Sequence, residues 1–274
     1  VVDPVDRQLV TWTQEGVWTF DVGGPGIWQL APVPHGQGPT FDNAMQLLDT
    51  VRRHLLVFGG SDRTTPSPAT SLWSWALDGP PAWNRIAIEG APPAGTSGRQ
   101  CAFDAMRDRV LVLPDAHYAL GGYAALDTVP VLELSGATPR WTRLAPTGTL
   151  PLARSNGTVV VDTAHDRMFL VGGVVPTNEF WLHPRDVWTL SLDKTPKWSN
   201  QIGWAEDSPA MARCGIAIDP TLDRLLVIGG DGFSPFEKGS HHSPSATSLE
   251  NPSEWTNLDP DGASPMVGGG TACF

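Results

Sequence analysis

The chain has little lysine, cysteine and tyrosine, and it lacks any long apolar run. Of eighteen basic residues only Lys194, Lys197 and Lys238 are lysine, and the formal charge over 274 residues is −11. That balance disfavours nucleic acid as a principal partner, because phosphate binding needs a net basic footprint. Cys101, Cys214 and Cys273 are too few and too odd in number for a disulfide framework, so they are expected to pack as small apolar residues. No stretch is long and apolar enough to span a bilayer, no signal peptide is expected at Val1, and no window sustains helical periodicity. The expectation is a soluble, monomeric, single-domain chain; the preference for Arg over Lys, with abundant Pro, Gly and Ala, suits a GC-rich bacterial source, and an extracytoplasmic setting is preferred.

What the chain does have is a repeat of tryptophan. Trp28, Trp83, Trp141, Trp198 and Trp255 stand 55, 58, 57 and 57 residues apart, and five such intervals span the chain. Ten residues before each stands a second recurring position, occupied by Trp18, Trp73, Val131, Trp188 and Ser245. Further upstream an aspartate, a short spacer and a basic residue precede an apolar run: Asp104 to Arg109, Asp162 to Arg167 and Asp219 to Arg224, with His54 in the basic slot after Asp49 and a degraded form at Asp3 and Arg7. Recurrence in register argues for turn closure rather than catalysis, since chemistry at one site would not be repeated in every unit.

Short runs rich in Val, Leu, Ile and Trp, punctuated by Gly, Pro, Asn and Asp, read as strands, and four strands in a unit of this length make a propeller blade. The expected fold is all-β, a five-bladed β-propeller of four-stranded antiparallel blades. Strands A to D run outward, with the Asp after A, the apolar run on B, and the two tryptophan positions on C and D. The blades are expected at 40–90, 99–148, 154–205 and 213–262, with the first composed of 1–35 and 266–274. In that scheme Thr271–Phe274 supplies the inner strand that Val1 begins without, closing the ring and removing an open sheet edge. Each tryptophan is expected to bury its ring while keeping its N–H bonded.

Gly59-Gly60, Gly172-Gly173 and Gly229-Gly230 follow apolar strands and precede Trp73 or Trp188 and the outer tryptophans, and on these residues the chain resembles the kelch family of β-propellers. The chain departs from the family in having five units where six or seven are usual, and Leu113-Pro114 and Trp12-Thr13 stand where two of the double glycines should be. Kelch propellers serve many activities, so the resemblance implies fold more than function.

Binding tends to reside on loops carried by a rigid scaffold, here the B–C and D–A loops. Arg99, Arg154 and Arg213 precede successive A strands, and in kelch proteins the corresponding arginines can face the channel mouth and bind acidic peptides; Asp42 and Asn43 occupy the same position in the second blade. The alternative is that each arginine pairs within its own blade. Tyr118 and Trp181 complete the expected ligand-binding set. His117, His183, His241 and His242, with Asp115, Glu179 and Asp231, lie on the same B–C loops and form a candidate site for a divalent transition metal, although their spacing matches no compact ligand motif. The first expectation is a cofactor-free module recognising a peptide, protein or glycan; the alternative is a metal-dependent hydrolase, lyase or oxidase. Copper oxidases of kelch type need paired tyrosines around a crosslinked cysteine, whereas Tyr118 and Tyr123 share one loop. Nucleophile elbows, phosphate loops, His-Glu-x-x-His and sialidase Asp boxes are absent from the sequence.

Overall fold

Five times along the chain an aspartate ends a strand and a tight turn returns the backbone antiparallel to it. The computed structural model describes residues 1–33, 37–40, 44–60, 70–93, 100–114, 116, 124–177, 181–203, 208, 212–230, 244–252 and 254–258. They form two compact units, Val1–Val112 with Pro130–Thr142, and Leu113–Val129 with Arg143–Phe274. The fold is an all-β, five-bladed propeller of antiparallel four-stranded sheets. The first unit carries three blades: β1 (Val2–Asp3), β2 (Gln8–Thr13), β3 (Gly16–Asp21) and β4 (Trp28–Pro32); β5 (Met45–Asp49), β6 (His54–Phe58), β7 (Ser71–Ala76) and β8 (Trp83–Ala87); β9 (Cys101–Asp104), β10 (Arg109–Val112), β11 (Val129–Glu133) and β12 (Arg140–Leu144). In the second unit β13 (Thr147–Gly148) precedes β14 (Thr158–Asp162), β15 (Arg167–Val171), the small hairpin β16 (Val175–Pro176) with β17 (Trp181–Leu182), and then β18 (Val187–Ser191) and β19 (Lys197–Ile202). The last blade is β20 (Gly215–Asp219), β21 (Arg224–Ile228), β22 (Ser245–Ser248) and β23 (Thr256–Asn257).

The recurring aspartates pair across the hairpin with the first residue of strand B: Asp3 with Gln8, Asp49 with His54, Asp104 with Arg109, Asp162 with Arg167 and Asp219 with Arg224. One carboxylate oxygen accepts turn N–H groups, as from Val5, Val51, Arg107, His165 and Thr221. The other accepts the Nε–H of Arg109, Arg167 or Arg224 at 2.9–3.0 Å. The residue before strand B is left-handed in every blade, at Arg7, Arg53, Asp108, Asp166 and Asp223. Neighbouring turns are joined as well, since Arg53 bonds Asp3 and Asp6 of the first blade. The turns are structural.

The B strands are the core. Successive side chains leave a strand on opposite faces, so Leu55 and Val57 pack with Val10, Val17 and Trp75, while Leu56 and Phe58 pack with Val110, Val112 and Leu132. In the second unit Phe169 and Val171 join Ile216, Leu225 and Val227. Each such burial contributes roughly 1.5–3 kcal/mol. Trp18, Trp73, Trp188 and Ser245 face the equivalent B-strand residues Thr11, Val57, Leu170 and Val227, each three places after the start of its strand, whereas Val131 faces Leu111, two places after Arg109, so the third blade is offset by one residue from the expected register.

The outer tryptophans differ from one another: Trp198 is fully buried, Trp83, Trp141 and Trp255 are partly buried, and Trp28 is 44% exposed. The expectation that their indole N–H groups stay bonded does not hold for Trp83, Trp198 and Trp255, whose buried nitrogens find no acceptor among the described residues. The shape and area of the ring outweigh the orphaned donor, a loss of about 1–3 kcal/mol. The inner strand expected from Thr271–Phe274 lies outside the described residues. Among those described, β1 takes the innermost position of the first blade, and Val1 exchanges two backbone bonds of 2.8 Å with Val10. No helix among the described residues is long and apolar enough to cross a membrane.

Candidate binding face

In the second unit the loops that enter and cross three blades are sewn together by their backbones. Gly172 and Gly173 end β15 with φ of 58° and 109°. A side chain on Gly173 would meet Gly157 Cα and the Ser155 carbonyl at 3.0 Å, so only glycine lets the B–C loop lie this close to the D–A loop. Ser155 and Val174 then exchange two hydrogen bonds of 2.8 Å. Leu126 and Ala153 tie the third-blade loop to the same D–A segment through Pro151 and Ala124, and Arg213 N–H donates to the Asn156 carbonyl. From this platform the β16–β17 hairpin projects, with Trp181 51% exposed and paired with Pro176.

Arg154 anchors the platform from below. It is 2% exposed, and its Nη1 and Nη2 donate to the Asp186 carboxylate at 2.5 and 3.2 Å. Nη1 also donates to the Gly172 carbonyl and Nε to the Leu152 carbonyl. The Trp188 indole N–H donates to Asp186 Oδ2 at 2.6 Å. One carboxylate thereby holds together the D–A loop, the end of the B–C loop and strand C. A carboxylate ligand would have to displace Asp186 to reach this guanidinium.

Arg213 is exposed and left-handed, with φ of 56°. His183, which follows β17, is half-buried, and burial pushes its imidazole below the usual histidine pKa, favouring the neutral ring. Arg99, Asp42, Asn43 and Tyr118 lie outside the described residues, as do His117, His241, His242, Asp115, Glu179 and Asp231. Among the described residues no three His, Cys, Asp or Glu side chains converge as a metal-binding group. Of the predicted site residues described, Arg154 is buried beneath the D–A and B–C loops, His183 is half-buried, and Trp181 and Arg213 are exposed. Asp186 was not singled out by sequence reasoning; its signal is an acidic residue two places before an inner-strand tryptophan.

No protein-family model matches the chain. It is similar to Adagio-like protein 3 of Oryza sativa subsp. japonica, with 24% identity over 224 residues, covering 79% of this chain and 33% of that protein. Among solved structures it is similar to a fungal alcohol oxidase of the AA5 family in complex with copper, at a TM-score of 0.59 and 13% identity, covering 94% of this chain and 52% of that one. The chain thus spans a third of the curated relative and about half of the oxidase. Identity this low is a likeness of fold, and the fold is the propeller described above.

Proposed function

We propose that the chain is a kelch-type propeller that binds a peptide, protein or glycan on the loop face of its second unit. The left-handed glycine pairs at Gly59-Gly60, Gly172-Gly173 and Gly229-Gly230 support the kinship, since these are the residues of the resemblance. The observation that carries the binding reading is the buried Arg154–Asp186 pair beneath an exposed hairpin. A fully satisfied buried ion pair rigidifies the loops above it, and rigid support lowers the ordering cost when a ligand docks on Trp181 and Arg213. Tryptophan and arginine are also the residue types enriched where partners are gripped most tightly.

The test is selection from a displayed peptide library together with a glycan array, using the whole chain. Ligands recovered by the unaltered protein should be lost on Trp181→Ala with Arg213→Ala, while thermal unfolding stays unchanged. Retention of the same ligands by the double variant overturns this site. Stoichiometric transition metal in the purified protein, lost when His117, His183 and His241 are all replaced by Ala, would instead establish the metal-dependent enzyme.

A further inference from the structure

Asn156-Gly157 is the only Asn-Gly step in the sequence, and the fold places it in the D–A loop that enters the fourth blade. Asparagine is among the thermally labile residues. A following glycine has no side chain to keep its backbone nitrogen away from the asparagine Cγ. In a folded chain that approach is obstructed when the side-chain amide or the next N–H is committed to a hydrogen bond. Here, among the described residues, neither the Asn156 side-chain amide nor the Gly157 N–H takes part in one, and Asn156 is only half-buried. Asn156 is also left-handed, with φ of 55°, a conformation that disfavours any residue with a side chain relative to glycine.

We infer that Asn156-Gly157 is a self-modification site at which the folded chain deamidates. The Gly157 backbone nitrogen gives its proton to water and forms a bond to Asn156 Cγ; the Cγ–Nδ2 bond breaks, and the amide leaves as ammonia. Water then opens the resulting succinimide at either of its carbonyls, leaving aspartate or isoaspartate. The sum is one water consumed and one ammonia released. Ring closure has to turn the peptide plane between the two residues, and one contact holds that plane: the Arg213 N–H, at the entrance to the last blade, donates to the Asn156 carbonyl at 2.9 Å. Opening of that bond gates the reaction, so the folded chain reacts more slowly than a free peptide.

Isoaspartate routes the backbone through Cβ and Cγ and makes it one atom longer. The lengthening falls where Gly173 is packed against Gly157, since even a Cβ added to Gly173 would meet Gly157 N and Cα at 3.0 Å. The longer segment does not fit there while Ser155 and Val174 keep their two hydrogen bonds, so the modification releases the B–C loop from the D–A loop. This holds whether or not the loops carry a ligand.

The whole chain is incubated in mildly alkaline buffer at body temperature beside a synthetic peptide Ala-Arg-Ser-Asn-Gly-Thr-Val copying residues 153–159. Both are followed by peptide mass spectrometry and by enzymatic detection of isoaspartate. Conversion at Asn156 should appear in the folded chain, more slowly than in the peptide. In the isoaspartyl fraction the Ser155 and Val174 amides should exchange with deuterium faster than in the unaltered chain. A folded chain that keeps Asn156 intact after the peptide has fully converted overturns the site. Conversion at the rate of the peptide overturns the gating by Arg213, and conversion that leaves the Ser155 and Val174 exchange unchanged overturns the release of the loop.

Discussion

Arg52 of the second blade holds Asp108 of the third through both Nη atoms, each at 2.6 Å, and Asp108 is itself the left-handed residue of its turn. The same guanidinium bonds Asp49 of its own turn at 2.9 Å. One residue thus serves as backbone hinge in its own hairpin and as anion for its neighbour.

The Arg52 hydrogen bonds hold the Asp108 carboxyl below its ordinary value of 3.8. A depressed folded-state pKa stabilises the protein above the unfolded value and loses that contribution as pH falls through the folded one. Asp108→Asn keeps a residue tolerant of left-handed φ and removes only the charge. It should cost up to about 1 kcal/mol near pH 7, less at high salt, and less again near pH 2 as acid protonates the carboxyl. Urea unfolding at the two pH values checks this.

Arg154→Met should be strongly destabilising, by about 3–5 kcal/mol, because Asp186 is left as a buried unpaired charge. Combining it with Asp186→Leu should recover much of that loss, although the Trp188 N–H then lacks its acceptor. A double-mutant cycle by denaturant unfolding measures the coupling, and additive losses would contradict the pair.

Two tryptophans of the fourth blade should respond differently to the same change. Trp188→Phe removes a donor bonded to a carboxylate and should cost about 1.5–3 kcal/mol beyond lost area. Trp198→Phe removes an indole N–H that meets no acceptor among the described residues, so it should cost only the lost packing. Calorimetric melting of the two variants gives the comparison.

Arg7 takes a left-handed φ of 54° where Asp108, Asp166 and Asp223 serve other blades. A left-handed backbone costs a branched or long side chain more than glycine or asparagine. Arg7→Gly should therefore raise stability by about 0.5–1 kcal/mol. Arg53→Gly, at the same turn position, should not, since Arg53 also bonds Asp3 and Asp6. Melting temperatures of both variants decide it.

The strands were legible because their signals are local. Asp104 and Arg109 announce a hairpin within six residues, and the alternation in Leu55-Leu56-Val57-Phe58 needs only the period of a strand buried on both faces. Ser245 was legible as a tryptophan position for the same reason, since spacing persists when the side chain changes, whereas Val131 pairs one residue out of step with it. The fate of Arg154 was not legible, because Asp186 lies 32 residues away and meets it only after two loops cross. Glu89-Gly90 and Thr147-Gly148 were equally silent, for a parallel bridge joins segments some fifty residues apart.

By itself the sequence determined the period, the turn chemistry and the strand class, all set by interactions within one hairpin. The five outer tryptophans share one spacing, yet Trp198 is buried and Trp28 is exposed, because burial depends on segments distant in sequence, such as Gly148 lying against Trp198. Tertiary structure alone decided that, and with it which arginine became scaffold and which stayed on the surface. Side-chain identity sets what a residue can bind, and long-range packing sets what is left for it to bind.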